Sequence, residues 1–397
     1  TGTLDFEMQT HDLNFLADLA GTASDGSFII PDSMNLGARL DLEGSRYTAQ
    51  LKLNEGHGLL DLNAFYDTSA ETYEADLVID SLQLHHFLPK DSLYLLSAKV
   101  RAKGQGTDFT SYRTKATVQA SLDRLQYGPW NVSGVHLDAG LKSQLATVSL
   151  TSDNALLQMQ ADADMRLDRR YLDGKLKMDV AQLDLHKLGI APQPLKRPFA
   201  FAVGAEARRD SIKLNMNAGD LKLNFRAENT LKHLLDQSDR FMKELTAQID
   251  NRKLDHAALR ELLPSAGMYL TAGKENPFSY YLATKNISYN DFSLGFGFTP
   301  EIGINGRTAL HGLHVDSLQL DTLFFAIAQD TTRMKLQGGI VNAPSNPQFA
   351  FRSTLTGEIR SEDAELTADF VDGEGRTGLL FGINARPLTE GNGKGNG

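Results

Sequence analysis

The sequence predicts an all-β protein: a mainly antiparallel sheet, apolar on one side and wet on the other, with one short helical insertion. Three observations predict it, namely alternation of period two, turn residues between the alternating runs, and internal repetition. In residues 157–168 the odd positions are Leu157, Met159, Ala161, Ala163, Met165 and Leu167, and the even ones are Gln158, Gln160, Asp162, Asp164, Arg166 and Asp168. Successive side chains of a strand point to opposite faces, so this segment has one apolar and one hydrated face. Parallel sheets covered on both sides read as continuous apolar runs, and these segments do not.

The same alternation defines each element in turn. It appears at Leu4, Phe6 and Met8, at Leu36, Ala38, Leu40 and Leu42, and around Leu60 and Leu62. It continues at Tyr73, Ala75, Leu77 and Ile79, at Leu176, Met178 and Val180, and at Leu221, Leu223, Phe225 and Ala227. Turns are expected at Glu43-Gly44-Ser45, Glu55-Gly56-His57-Gly58, Asp173-Gly174 and Ala218-Gly219-Asp220. Roughly 25–30 strands fit the length at this spacing. Asp80-Ser81-Leu82-Gln83-Leu84 recurs verbatim as Asp316-Ser317-Leu318-Gln319-Leu320, and Gln182-Leu183-Asp184-Leu185-His186 is related to both. The offsets 157 − 60 = 97 and 183 − 82 = 101 point to a degenerate repeat about a hundred residues long.

One segment has a different period. Leu231, Leu234, Leu235, Phe241, Met242, Leu245 and Ile249 fall at helical spacing after Asn229, read as the N-cap. A second helix starts at Asp255, carries Leu259, Leu262 and Leu263, and stops at Pro264. Gly267, Gly273 and Pro277 read as a loop, with strands resuming near Ser279. The chain thus divides into a first β block (1–228), a helical insertion (229–263), a second β block (264–388) and a flexible Gly/Asn tail (389–397). The helical stripe must bury against something, and the inner sheet face between the 176–228 and 279–325 strands is the expected place, as a brace or a gate.

Composition excludes several functions. The 397 residues carry 40 Lys+Arg and 50 Asp+Glu, a net charge of −10, which argues against nucleic acid and against a basic membrane-surface patch. With no cysteine there are no disulfides, thiolate nucleophiles or Cys-ligated metals. No apolar run nears the ~20 residues needed to span a bilayer, and the densest stretch, 323–328, is strand-sized. The chain opens on Thr1 within an alternating run, and it reads as an excerpt of a longer protein.

Chemical motifs are weak. Gly373-Glu374-Gly375-Arg376-Thr377-Gly378 matches G-x-G-x-x-G, but a strand-like run follows instead of the helix that would hold a pyrophosphate. His311 and His314, near Asp316, would point to opposite faces of a strand, and adjacent His85 and His86 would diverge, so no metal site is expected. Asp162 and Asp164 share a face about 7 Å apart, a glycosidase-like spacing on what reads as a solvated wall. Neither an enzyme nor a cofactor is expected.

The apolar face remains, and it must meet a second sheet, another chain or an apolar ligand. A sandwich of two sheets is one solution. A surface for fluid acyl chains is the other, favoured by the long alternation at 157–168 and by walls of Leu, Met and Ala.

In its degenerate amphipathic repeats the chain resembles the TamB/AsmA-like proteins of Gram-negative envelopes, as an internal fragment of such a protein. The residues that carry the resemblance are the closures Leu82-Gln83-Leu84-His85-His86-Phe87, Leu183-Asp184-Leu185-His186-Lys187-Leu188 and Leu318-Gln319-Leu320-Asp321-Thr322-Leu323, with the linking stretch Asp18-Leu19-Ala20-Gly21-Thr22-Ala23-Ser24-Asp25-Gly26. The resemblance implies an elongated sheet curved lengthwise into a U-shaped apolar groove, a β-taco, that carries phospholipid acyl chains between inner and outer membrane. It further implies a periplasmic location, an inner-membrane anchor through an N-terminal helix outside this chain, and an Omp85-class outer-membrane barrel as partner. The groove wall would comprise Leu40, Leu42, Leu60, Leu62, Leu77 and Ile79, then Leu157, Met159, Ala161, Ala163 and Met165, then Leu176, Met178 and Val180, then Leu221, Leu223 and Phe225, and finally Leu318 and Leu320. About ten methylenes at ~0.8 kcal/mol each give ~8 kcal/mol per acyl chain without any polar contact. The alternatives are a scaffold or chaperone for outer-membrane barrel assembly, and a β-sandwich that binds glycan or protein. The second would need an aromatic platform, and Trp130 is the one tryptophan.

Overall fold

A computed structural model describes residues 1–9, 28–31, 33–167 and 172–385, residue 172 by its backbone alone. The linking stretch at 18–26, Asp168 and the 389–397 tail lie outside the described residues. The all-β expectation holds. The described strands number 24, all in one hydrogen-bonded sheet, and every pairing with an assigned register is antiparallel.

The chain forms two compact units, 1–194 with 198–202, and 195–197 with 203–397. The first begins with β1 (Gly2–Gln9), β2 (Met34–Glu43), β3 (Arg46–Glu55), β4 (Gly58–Asp67), β5 (Thr72–Gln83) and β6 (Leu93–Gln105). It continues with β7 (Lys115–Tyr127), β8 (Trp130–Val132), β9 (Val135–Lys142), β10 (Leu145–Asp153), β11 (Leu157–Leu167) and β12 (Leu172–Leu183). Gly44 and Gly56 take the left-handed backbone in the expected hairpin turns, at φ 61° and 56°. Asp173-Gly174 is not a turn. Both residues lie inside β12, where Gly174 faces Met165, so the alternation of the strand overrides the turn signal.

β13 (Phe199–Ala207) runs from the first unit into the second, which continues with β14 (Ser211–Ala218) and β15 (Leu221–Glu228). Helices α1 (Leu231–Asp250) and α2 (His256–Glu261), β16 (Ala266–Ala272), α3 (Pro277–Ala283) and β17 (Ile287–Ser288) follow. The remaining strands are β18 (Asp291–Thr299), β19 (Gly303–Val315), β20 (Leu318–Gln329), β21 (Met334–Asn342), β22 (Phe351–Ile359), β23 (Ala364–Asp372) and β24 (Thr377–Ala385).

The N-cap of α1 is Thr230, whose hydroxyl accepts from the His233 amide at 3.1 Å, while Asn229 sits before it at φ 70°. Asp255 caps α2 as expected, accepting from Ala258 N at 3.0 Å. The stretch read as a loop holds β16, and helix α3 lies where strands were expected to resume near Ser279. Asn276 caps it and Pro277 occupies its first position, a start signal outweighed by the nearby glycines.

Helix α2 docks at strand ends: Arg260 donates to the Glu301 carbonyl, and the His256 ring faces the Gln329 amide at 3.4 Å. Beyond α1, Leu254 N donates to Ser361 O at 2.8 Å in the β22–β23 turn, and Lys253 pairs with Glu362 at 2.9 Å. The expected stripe of α1 is unevenly buried. Leu231, Leu234 and Leu245 are half-buried, whereas Leu235, Met242 and Ile249 are 60, 54 and 57% exposed. Those three recur every seventh residue, one i+4 step (about 40°) round the helix from the line of Leu231 and Leu245, so they form the exposed edge of the same face.

Candidate functional site

The site is the apolar face of the sheet. In an antiparallel pair, directly opposed residues share a face, so strand register traces each ladder across the fold. In the first unit the ladder Leu4–Leu40–Ala49–Ala64–Ala75–Ala102–Val118–Ala139–Val148–Ala163–Leu176 crosses eleven strands without a polar side chain. Beside it runs Phe6–Ala38–Leu51–Leu62–Leu77–Val100–Ala120–Leu137–Leu150–Ala161–Met178, equally apolar. A third ladder brings together Leu60, Ile79, Met159 and Val180 and is interrupted only by Ser152. A fourth carries Leu42 and Met165, with Tyr47, Tyr66 and Tyr73 in adjacent strands. Leu157 joins the same face by alternation with Met159. Every first-unit residue expected on the wall is therefore on one face. The expectation passed over β7, β9 and β10, although Ala116, Val118, Ala120 and Leu137, Ala139, Leu141 alternate just as clearly.

This face is not the dry inside of a sandwich. Leu40, Val148 and Leu176, all in the central ladder, are 43, 39 and 39% exposed, where a core would hide them. Burial is confined to a few positions such as Leu141 and Val180.

The opposite face is hydrophilic strand after strand. Its central ladder reads Asp5–Arg39–Gln50–Asn63–Asp76–Arg101–Gln119–Asp138–Ser149–Asp162–Lys177. Cross-strand bonds knit it: Gln119 to Asp138 and Ser149 to Asp162, each at 2.8 Å. Hydrogen bonds from Arg39 and then from Thr3 hold the Asp41 carboxyl below its ordinary range. Asp162 and Asp164 belong to this hydrated wall, where Gln160 and Ser149 donate to Asp162.

The second unit repeats the two-faced pattern. Leu214–Phe225–Met268–Phe296–Gly306–Ile327–Leu336–Gly357–Leu366–Ile383 crosses ten strands. Leu223 lies in the neighbouring ladder with Leu270, Leu294 and Phe325, and Leu221 alternates onto the same face. Leu318 and Leu320 do not join them. Register along β20 is unbroken, so its odd positions Leu323, Phe325 and Ile327 face the apolar ladders and its even positions face away. Leu318 and Leu320 pair instead with Val315 and Leu313 across the β19–β20 hairpin. The repeated pentapeptide explains the misassignment. Its first copy ends β5 through an irregularity between Ile79 and Leu82, with Ser81 at φ 51°, whereas the second forms a hairpin turn with Asp316 at φ 51°. Identical residues thus have different partners.

The weak motifs resolve as structural elements. Gly373–Gly378 holds the β23–β24 turn, where Asp372 accepts from the amides of Glu374 and Arg376. His311 bonds Asp291 at 2.6 Å, and His314 bonds the Gly312 carbonyl at 3.1 Å. His85 and His86 do not diverge: a 3₁₀ turn at Leu84–His86 brings their rings to 4.2 Å, with His86 against Glu55. Among the described residues no group of three His, Asp or Glu side chains is placed to hold a metal. No helix among them is long and apolar enough to cross a membrane. Trp130 donates to the Lys187 carbonyl at 3.0 Å and stacks on Tyr127. Comparison with protein-family models, curated proteins and solved structures found no match to the chain.

Proposed function

We propose that the apolar face carries phospholipid acyl chains, as in a bridge-like periplasmic protein of the TamB/AsmA kind that joins inner and outer membrane. The observation that carries this reading is the pair of wholly apolar ladders across eleven strands of the first unit, half-open to solvent. A continuous greasy strip lets a chain shift along it at nearly constant energy, because each step exchanges one set of methylene contacts for an equivalent set. The mix of Leu, Ala, Val and Met suits fluid tails better than one rigid ligand. The same reading places an Omp85-class barrel and an inner-membrane anchor among its partners and needs neither cofactor nor catalysis.

The test is lipid extraction and mass spectrometry of the purified protein, together with Ala163→Asp. Ala163 sits between Val148 and Leu176 with access to water, so the carboxylate stays hydrated and the sheet stays folded. Co-purifying phospholipid that is depleted in the folded variant is the expected result. A protein free of lipid, or a variant that unfolds as a closed core would, overturns the reading.

One observation favours scaffolding of barrel strands as a second reading. Among the described residues β24 pairs with β23 alone, and all nine of its residues are exposed, Phe381 and Ile383 included. Such an edge can accept an incoming strand. Cross-linking at Thr377–Ala385 to a nascent barrel protein tests it.

A further inference from the structure

The hydrophilic face of the first unit is uneven. Where β5, β6, β7, β9, β10 and β11 end, a cleft of about 960 Å³ opens beside Tyr112 of the 106–114 loop. Its wall carries Lys103, Lys115, Lys142 and Arg166 and no carboxylate. Elsewhere on the face several cations are answered, Arg101 by Asp76, Lys99 by Asp123 and Lys177 by Asp179, while Lys52 and Lys175 stand singly without an ion pair among the described residues. The four cations of the cleft have no ion-pair partner among the described residues. By register the nearest acids are Glu74, opposite Lys103, and Asp173, opposite Arg166, with Asp164 two positions before Arg166. Lys115 and Lys142 stand directly opposite each other in the β7–β9 ladder.

Like charges opposed in a sheet are destabilising, and this chain, at −10, has acids enough to have prevented it. The loop beside the cleft is tied down by hydrogen bonds. Thr114, buried, donates to the Asp108 carbonyl at 2.6 Å, and Gln144 in the β9–β10 turn donates to Thr110 O. Ser143 and Gln144 both hold a left-handed backbone there, at φ 52° and 66°, which side-chain-bearing residues seldom adopt.

We infer that this cleft binds a phosphate group. Tetrahedral phosphate oxygens accept from several donors at once, and the Arg166 fork with three lysines supplies them. Phe65, Leu145 and Tyr112 beside the cations give an apolar surface for the body of an ester. The phosphate can be free or can be the head of a lipid, and the inference stands whether or not the opposite face carries acyl chains.

The full chain is titrated with sodium pyrophosphate by calorimetry at low salt. It is also floated with vesicles of phosphatidylcholine alone, or of phosphatidylcholine and phosphatidylglycerol in equal parts. Binding of pyrophosphate is expected, weakened about tenfold or more in the Lys115→Gln/Lys142→Gln double variant and unchanged in Lys177→Gln. Flotation only with the anionic vesicles, lost in the double variant, assigns the site to a lipid head. Pyrophosphate binding without flotation assigns it to soluble phosphate. The double variant also relieves repulsion, so its melting temperature is expected to equal or exceed that of the parent. Absence of both kinds of binding, binding that survives in the double variant, or a melting temperature that falls overturns the inference.

Discussion

Single aspartates secure many of the hairpins. Asp67 accepts from the amides of Ser69 and Ala70, and Asp372 from those of Glu374 and Arg376. Asp330 accepts from the Thr332 amide and hydroxyl, each at 2.8 Å, and from Arg333 N at 3.0 Å. These bonds favour the ionised carboxylate, and the Thr332 amide foremost holds Asp330 far below its ordinary 3.8. A carboxyl depressed on folding contributes stability above its unfolded value and loses it as pH falls toward the folded one. Asp330→Ala is therefore expected to lower the melting temperature at neutral pH, with the gap from the parent closing below about pH 4. A gap that does not change with pH in thermal scans would show that the ionised carboxylate is not what holds the turn. The Asx signal is local and was present in Asp330-Thr331-Thr332.

At the scale of elements, strands were legible and docking was not. The 3.6-residue period located α1 and α2, but it carries no information about which strand ends receive them. The contact residues are instead buried singly: Leu259 and Leu263 are each 2% exposed, while Leu235 and Met242 are mostly in water. Leu259→Ala or Leu263→Ala is expected to cost about 2–4 kcal/mol in chemical denaturation. Leu235→Gln with Met242→Gln is expected to change stability by less than about 1 kcal/mol in the same measurement. The reverse ranking would mean that the seventh-residue line is the packed one. Helix α3 was hidden because its start at Asn276-Pro277 lies among Gly267, Gly273 and other turn formers. Its cap is fixed by partners far away in sequence, Nδ2 of Asn276 reaching Asp220 at 2.9 Å.

For the whole molecule, the energetics follow from ladders between neighbours. Each strand of the first unit finds its hydrogen bonds and its apolar companions in the strands beside it, as in repeat arrays whose stability is a sum over adjacent units. The polypeptide 1–194 is accordingly expected to keep a β-rich circular dichroism spectrum and a cooperative melt without the second unit. A spectrum of an unfolded chain would show that the first unit depends on the second. Net charge also misleads at this scale. The overall −10 argued against a basic surface patch, yet four cations gather in one cleft because register, not composition, sets which lysines meet.

The alternation by itself determined that this chain forms an antiparallel sheet with one apolar face, because a strand's side chains alternate by local backbone geometry wherever the strand pairs. It also placed the first-unit wall, from Leu40 to Val180, on a common side. Only the tertiary structure decided the rest. Leu318 and Leu320 turned away from Leu223 and Phe225, although their pentapeptide matches one in β5, because hairpin position and bulges set register, and a shift of one residue exchanges the faces. The opposition of Lys115 to Lys142 and the bond from Arg260 to the Glu301 carbonyl are likewise long-range pairings, and no local period encodes them.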